Sequence, residues 1–352
     1  MAYIEGCKVQ ASMQQQHLSG AGETYLLEQK LATYYRKKFA LTFCNATTAL
    51  QTLCLAFDLV GAEIITSPIN WGGSIAPFLL RNNRLRFTSF DPTSLHLSIP
   101  GLSSAFTAKT KAVLSVDYQG VPVNSKAIKE FCSAHNLVYI SDSAQSLGAF
   151  RDNKPGGFYA DATVLSFSPG KSLFGGEGGA ILTDDEALYE KLLWFSQHPS
   201  RQKAILGLSH YNEYAPLNGR MNPLSAILLN STFEDSTAAL KHYQTTCFEV
   251  LHQLQKAHLI KETRHIPSHH ASTFFNFMAQ LMAKVCVQQV NEFLLDHRHP
   301  FVATASRIKL IPFDDSFLKQ FRGRFSCTKE LKEQKSAVRF EDWITLDYMD
   351  EG

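Results

Sequence analysis

Apolar positions in the first two thirds of the chain alternate between helical spacing and short continuous runs. Residues 24–39 place leucines and tyrosines three or four positions apart, with charged side chains between them, which predicts an amphipathic helix. The short apolar runs are typical of buried strands. Predicted strands cover residues 39–43, 63–66, 85–90, 112–116 and 137–141, and predicted helices cover residues 47–59, 74–80, 127–135 and 185–197. This alternation predicts an α/β fold with a mostly parallel sheet.

The pattern changes near residue 235, where helical spacing replaces the alternation. A long helical connector is predicted to begin at Pro223, and further helices are predicted at residues 238–260 and 287–295. A chain of 352 residues with 45% apolar side chains can bury one large core and a smaller one. We therefore expect an N-terminal arm over residues 1–22, a large domain over residues 23–234 and a smaller C-terminal α+β domain over residues 235–352.

Charge and cysteine usage narrow the class of partner and the compartment. The 34 basic and 32 acidic residues give a formal net charge of +2 without a long run of one sign, which argues against binding to nucleic acid or a membrane surface. The seven cysteines are scattered singly, so neither a zinc site nor a disulfide framework is predicted. No secretory leader or apolar membrane span is visible. We expect a cytoplasmic protein that acts on small molecules.

The candidate metal ligands in the C-terminal part are four histidines, His269, His270, His297 and His299. Apart from Asp296, no acidic residue or cysteine lies close to them in the sequence. Loop histidines of this kind are usually solvated, so no metal site is predicted.

The segment around Lys171 carries the strongest chemical signal. It follows the predicted strand 163–167 and precedes the glycine-rich residues 175–179 and the predicted strand 180–183. A lysine in a loop inside the domain would be partly desolvated, which lowers its pKa and frees the amine to form a Schiff base with an aldehyde. A solvated loop lysine beside a turn is the alternative.

Three further segments lie at predicted strand ends, where open parallel sheets bind ligands. Asp142 ends a nearly apolar strand, and it serves either as the partner of a cationic ring or as a helix N-cap. Residues 45–50 lead into a helix through Thr47 and Thr48, so they either bind a phosphate or only cap the helix. Trp71, beside two glycines, either stacks on a planar ring or packs in the hydrophobic core. Ser166 could add a hydroxyl to the phosphate site.

An amine, a buried carboxylate, a flat aromatic surface and an anion site together match what pyridoxal 5′-phosphate requires. The order of these segments resembles the DegT/DnrJ/EryC1/StrS family of sugar aminotransferases, which are fold-type I pyridoxal-phosphate enzymes, from about residue 22 to about residue 229. The matching segments are residues 45–50, 141–145, 165–167, 176–179 and 218–221.

The resemblance implies roles for individual residues. Lys171 would carry the cofactor as an internal aldimine, Asp142 would pair with the pyridinium, and Gln145 would lie near the ring. The phosphate would be bound by Ala46, Thr47 and Ser166, and Trp71 would stack on the ring. Asn218 would reach the phosphate of a neighbouring subunit, which implies a homodimer with shared active sites.

Two residues depart from the family pattern. Ala46 replaces a glycine in the phosphate turn, which is tolerable only if this position does not need a positive φ. Asp117 stands where relatives frequently have a histidine. The C-terminal part matches the family poorly.

The function that the resemblance implies is transfer of an amino group from glutamate or glutamine to a nucleotide-linked keto-sugar. The alternatives are a sugar dehydratase of the same fold, in which a histidine replaces the lysine, and a non-catalytic regulatory paralogue. The spacing of Gly175 to Gly179 does not fit a nicotinamide-binding motif.

Overall fold

The structure is a computed structural model, and it describes residues 21–207, 217–261, 277–306, 308–314, 317–321, 323–338 and 340–348. The predicted N-terminal arm falls almost wholly outside these residues, as do His269 and His270.

Strands and helices alternate between residues 23 and 206, as the hydrophobic pattern predicts. The helices are α1 (Glu23–Tyr35), α2 (Ala46–Ala56), α3 (Gly72–Leu80), α4 (Ile99–Ala105), α5 (Ser125–Ala134), α6 (Glu186–Ser196) and α7 (Pro199–Leu206). The strands are β1 (Phe39–Phe43), β2 (Glu63–Thr66), β3 (Arg84–Phe87), β4 (Thr110–Val116), β5 (Val138–Asp142), β6 (Phe150–Arg151), β7 (Lys154–Pro155), β8 (Ala162–Ser166) and β9 (Gly179–Thr183).

One eight-stranded sheet organises this region, in the order β1-β9-β8-β5-β4-β2-β3-β12, where β12 is Phe325–Cys327. The six neighbouring strands β8, β5, β4, β2, β3 and β12 are all parallel to one another. In contrast, β9 pairs antiparallel with both β1 and β8. Helices cover the sheet, and most residues of its strands from β1 to β3 are buried. The α/β class with a mostly parallel mixed sheet is confirmed.

Local sequence explains where several helices begin. The Asn45 side chain accepts a hydrogen bond from the backbone N of Thr48 at 2.7 Å and so caps α2. The Asp185 carboxylate caps α6 in the same way, with a bond of 2.9 Å from the backbone N of Ala187. Both caps lie directly after a buried strand, so they set the length of each strand-to-helix turn.

The C-terminal part is built on a long helix, α8 (Pro223–Lys256). It continues through the predicted boundary between residues 234 and 235, where the sequence pattern indicated two helices. The strands β10 (Phe277–Gln280), β11 (Phe301–Ala305) and β13 (Trp343–Tyr348) form an antiparallel sheet with β13 in the middle. The helix α9 (Val287–Asp296) and the second half of α8 share a separate apolar core with this sheet.

Other C-terminal residues pack against the large sheet. The short helix α10 (Ile311–Asp314), the strand β12 and the helix α11 (Lys329–Ala337) all contribute side chains to its core, and β12 extends the sheet beside β3. The division at residue 234 therefore stays a prediction. No helix among the described residues is long and apolar enough to cross a membrane.

Candidate active site

The candidate site lies at the carboxyl ends of β5 and β8, which are neighbouring parallel strands. Asp142 is the last residue of β5, and Ser166 is the last residue of β8. Lys171 follows in the loop between β8 and β9. Because the carboxyl ends of parallel strands meet at one edge of the sheet, the fold brings the predicted carboxylate and the predicted amine to the same place.

Asp142 is buried, with 4% of its surface exposed. Its Oδ1 accepts a hydrogen bond of 3.0 Å from the backbone N of Ala144, and the Ser74 hydroxyl donates to its carboxylate. No helix begins in residues 143–149, so the helix-cap interpretation of Asp142 does not apply. Burial raises the pKa of Asp142, while the bonds from Ser74 and Ala144 and the charge of Lys171 oppose that rise.

Lys171 is partly buried in a loop that backbone hydrogen bonds hold closed. The backbone N of Phe167 donates to the Gly178 carbonyl at 2.9 Å, and the backbone N of Gly175 donates to the Phe167 carbonyl at 3.0 Å. Burial lowers the pKa of Lys171, and the charge of Asp142 partly restores it. A larger fraction of this amine is therefore neutral near pH 7 than for a solvated lysine.

The start of α2 lies against the start of β9. A Cβ placed on Gly179 would be 2.5 Å from the backbone N of Ala46, so a side chain at Gly179 would displace the helix start. Ala46 is the first residue of α2 and has no positive φ. The alanine that replaces the family's glycine is therefore unstrained.

Trp71 and Thr47 meet at Gly73. A Cβ on Gly73 would lie 3.0 Å from Trp71 Cδ1 and 3.2 Å from Thr47 Oγ1, so a side chain at this position would crowd both residues. Trp71 precedes α3 and is 69% exposed, which rules out the core interpretation of this tryptophan. Ser74, the next residue after Gly73, connects this group to Asp142 through its hydroxyl.

Gln145 and Ser166 are held by their own neighbours. The Gln145 Oε1 accepts a hydrogen bond of 2.8 Å from the backbone N of Gln119. The Ser166 hydroxyl lies 2.9 Å from the Ser168 hydroxyl. Gln145 lies in the loop that follows Asp142, and Ser166 ends the strand before the loop of Lys171. Their predicted contacts with a cofactor stay predictions.

Asn218 lines an open cleft of about 490 Å³ beside the start of α2, together with Cys44, Glu177 and Arg220. The Arg220 guanidinium donates to Asn218 Oδ1, and the backbone N of Cys44 donates to the Gly219 carbonyl at 2.7 Å. The second bond ties this segment to the strand end of its own chain. The predicted reach of Asn218 into a neighbouring subunit stays a prediction.

No group of three or more potential metal ligands occurs among the residues that the structure describes. The ring of His297 stacks on Phe293 with centroids 4.0 Å apart, and His299 Nε2 lies 2.9 Å from Gln253 Oε1.

Two polar residues at the site were not predicted to act there. Ser74 is 68 positions away from Asp142 in the sequence, so only the fold shows that they are bonded. Asp117 was noted only as a departure from the family pattern, yet its side chain is fully buried next to the end of β5.

Known proteins resemble this chain in sequence and in fold. The chain is 33% identical over 218 residues to the UDP-4-amino-4,6-dideoxy-N-acetyl-beta-L-altrosamine transaminase of Helicobacter pylori, covering 57% of this chain and 56% of that protein. It is 29% identical over 209 residues to a pleiotropic regulatory protein of Geobacillus stearothermophilus, covering 59% of this chain and 55% of that protein. The chain thus spans little more than half the length of these curated relatives.

The fold also matches that of a solved structure of the E. coli GDP-4-keto-6-deoxy-D-mannose-3-dehydratase with bound hydrated PLP. The TM-score is 0.79 at 18% identity, over 99% of this chain and 93% of that one. A family model supports the resemblance found in the sequence, over a longer span than the two curated relatives above. The model of the DegT/DnrJ/EryC1/StrS aminotransferase family matches residues 5–315, and the chain belongs to this family.

Proposed function

We propose that the protein is a pyridoxal-phosphate-dependent aminotransferase that transfers an amino group to a keto-sugar. One observation carries the proposal. A buried carboxylate ends β5, a partly buried lysine follows the neighbouring β8, and the charges of Asp142 and Lys171 influence each other.

The residues at the strand ends fit this cofactor. Burial makes the Asp142 charge unfavourable, and a protonated ring nitrogen would supply the cation that offsets this cost. The exposed Trp71 ring and the Thr47 hydroxyl, which lie on either side of Gly73, are the kinds of group that contact a planar ring and a phosphate. Thr47 lies in the first turn of α2, an eleven-residue helix whose positive end favours an anion.

Pyridoxal phosphate, when bound, withdraws electrons from the α carbon of an amino acid. The chain's own residues control where the proton goes. Lys171 would hold the cofactor's aldehyde through its amine, and the same amine, when free, would accept the proton from the donor's α carbon. Asp142 would hold the proton on the ring nitrogen. Ser74 and the Ala144 backbone hold the carboxylate in position for this task.

The proposed substrates rest on the relatives. The Helicobacter pylori protein is named as a transaminase of a UDP-linked amino sugar, so we propose a nucleotide-linked keto-sugar as acceptor and glutamate or glutamine as donor. The donor leaves as a 2-oxo acid, and the acceptor's carbonyl becomes an amine. We also propose a homodimer, with Asn218 contributing to the partner's site, and a cytoplasmic location.

Two other functions have support from the comparisons. The dehydratase of E. coli shares the fold, and a relative carries the name of a regulatory protein. Lys171 favours transamination over the dehydratase chemistry, because the resemblance places a histidine at this position in the dehydratases. The partly buried Lys171 and the buried Asp142 also argue against a protein without catalysis, because burying a charged group costs free energy.

The test is the visible absorption spectrum of the purified protein with added pyridoxal phosphate, before and after glutamate. Borohydride reduction and peptide mapping then identify the modified lysine. We expect a yellow protein, cofactor trapped on Lys171 and loss of the visible band with glutamate. Absence of the band and of any trapped cofactor would contradict the proposal and favour the regulatory alternative.

A further inference from the structure

A second buried carboxylate, that of Asp117, lies directly behind Asp142. Asp117 follows the last residue of β4, and Val116 pairs in register with Asp142 on β5. The backbone N of Asp117 donates to the Asp142 carbonyl at 3.0 Å. The two residues therefore share one backbone hydrogen bond at the end of the sheet.

The Asp117 carboxylate accepts three hydrogen bonds. The Ser143 and Ser146 hydroxyls donate to its Oδ2 at 2.7 and 2.6 Å, and the backbone N of Val123 donates to its Oδ1 at 2.9 Å. Ser143 and Ser146 belong to the loop that follows β5, residues 143–149, which we call the β5 loop. One carboxylate thus fastens two points of this loop to the end of β4.

The packing around the carboxylate leaves no room for another side chain. A Cβ on Gly156 would lie 2.5 Å from Asp117 Oδ2 and 2.6 Å from Ser146 Oγ. A Cβ on Gly157 would lie 2.8 Å from Ser143 Oγ, and Gly157 has a φ of +69°. Two glycines therefore seal the carboxylate and its two hydroxyl donors from solvent.

We propose that Asp117 is a positioning residue of the candidate site, whose carboxylate fixes the β5 loop and thereby orients the Asp142 carboxylate and the Gln145 amide. The inference rests on the proposed function only for the identity of the ligand, pyridoxal phosphate, that Asp142 and Gln145 would bind. Asp142 is fixed by the backbone N of Ala144, inside the β5 loop. Gln145 lies between the two serines that Asp117 holds, and it bonds to Gln119, two residues after Asp117.

The charges that surround Asp117 make its protonation state part of this role. Three side chains interact electrostatically with Asp117: Tyr35 on α1, and Tyr139 and Asp142 on β5. None of the three is a cation. No ion pair involves Asp117 among the residues that the structure describes. Burial raises the pKa of Asp117 to about 6, although its three hydrogen bonds oppose the rise. Below that pH the carboxyl gains a proton and cannot accept from all three donors in the same geometry.

The test compares Asp117→Asn with Asp161→Asn. Asp161 accepts from the backbone N of Tyr139 at 2.8 Å, so the control removes a carboxylate that holds β5 at the end away from Asp142. The dissociation constant of pyridoxal phosphate is measured by absorbance at pH 8 and at pH 5. Protonation of the cofactor itself affects both proteins equally, so it cancels in the ratio of the variant's dissociation constant to that of the wild type.

We expect D117N to raise the dissociation constant about tenfold at pH 8, the cost of one lost hydrogen bond to a charged group, and the ratio to fall toward one at pH 5. D161N should give the same ratio at both pH values, as a merely structural change would. A D117N ratio that does not depend on pH, or the same pH dependence in D161N, would overturn the inference.

Hydrogen exchange of the cofactor-free protein separates this inference from the proposed function. D117N should speed exchange in residues 143–147 about tenfold, and D161N should leave it unchanged. Unchanged exchange in D117N would overturn the positioning role even if the cofactor binds well. If the wild type binds no pyridoxal phosphate, the proposed function fails while the exchange result still decides this inference. If D117N does not fold, Ser146→Ala removes one donor to the carboxylate, and the same local increase in exchange is expected.

Discussion

Two buried charged clusters in this molecule differ in whether opposite charges are matched. The first, which we call the clamp, consists of Glu28 on α1 and Arg201 on α7, which form an ion pair with side chains only 3% exposed. Thr42 donates to Glu28 through its backbone N and its hydroxyl, both at 2.8 Å, and Gln197 accepts from Arg201 at 3.1 Å. The clamp is complete within one chain.

The second cluster, which we call the strand-end cluster, consists of Asp117, Asp142 and Lys171. The Asp117 and Asp142 carboxylates lie at neighbouring strand ends, the charge of the partly buried Lys171 acts on Asp142, and burial raises the pKa of both carboxyl groups. The comparison teaches that buried charge alone does not mark a functional site. A buried cluster with an excess of one sign, located at strand ends, is the one that can accept a charged ligand.

The largest expected effect is that of Lys171→Ala. Transamination should fall by at least about four orders of magnitude, because the variant loses both the covalent link and the proton-transfer group. Steady-state assays with glutamate and a nucleotide-linked keto-sugar measure this effect. Lys154, another partly buried lysine, lies 4.4 Å from the Phe158 ring outside the strand-end cluster, and K154A should keep its activity. Native turnover by K171A would remove the central role of this residue.

Asp142→Asn should lower kcat by about two to three orders of magnitude while cofactor affinity changes less. The amide keeps the shape of the side chain but cannot hold the proton on the ring nitrogen, and lost electrostatic stabilisation of this kind has that magnitude. Single-turnover kinetics of the glutamate half-reaction measure the step directly. An unchanged rate would show that Asp142 belongs with structural carboxylates such as that of the clamp.

Substitutions in the clamp should change the stability of the protein and not its catalytic activity. Arg201→Met leaves Glu28 buried without its partner, so the apparent free energy of unfolding should fall by about 3–5 kcal/mol. The matched control is Lys30→Met, which breaks the more exposed pair of Lys30 and Glu234 and should cost less than about 1 kcal/mol. Urea unfolding of both variants measures the difference. Equal losses would mean that the clamp is no more than a surface ion pair.

The smallest effect is the pH dependence of stability that Asp117 contributes. Its folded-state pKa, raised from 3.8 to about 6, means that the protonated form is favoured by folding, so its stabilising contribution is present below pH 3.8 and is lost as the pH rises through about 6. Relative to the wild type, D117N should therefore gain up to about 3 kcal/mol between pH 4 and pH 7, at about 1.4 kcal/mol per pKa unit.

Urea unfolding at several pH values checks this sign. Stability and cofactor affinity of D117N should move in opposite directions as the pH rises, which is the behaviour of a charge kept for function at a cost in stability. A gain in both quantities would contradict the positioning role.

Much of the strand-end cluster could be predicted because its parts are local. Lys171 and Asp142 each follow a short apolar run, and the rule that parallel strands bind ligands at their carboxyl ends links them without knowledge of the packing. The predicted strand over residues 63–66 agrees with β2 at both ends. These features depend on residues within a few positions of one another.

The contacts that join distant segments could not be predicted. The bond from Ser74 to Asp142 and the three donors to Asp117 depend on how α3 and the β5 loop cross the sheet end. The three residues of β12 are too few for a periodic signal, so its place beside β3 was not foreseen. The alternatives for Asp142 also needed the structure, because an aspartate after a strand can either cap a helix or face a ligand.

The most direct test of the comparison is a crystal structure of the protein with pyridoxal phosphate. The account predicts continuous density between Lys171 Nζ and the cofactor, with the ring nitrogen within hydrogen-bond distance of the Asp142 carboxylate. A cofactor bound elsewhere, or a ring nitrogen that faces another group, would contradict the claim that the excess negative charge of the strand-end cluster binds this ligand.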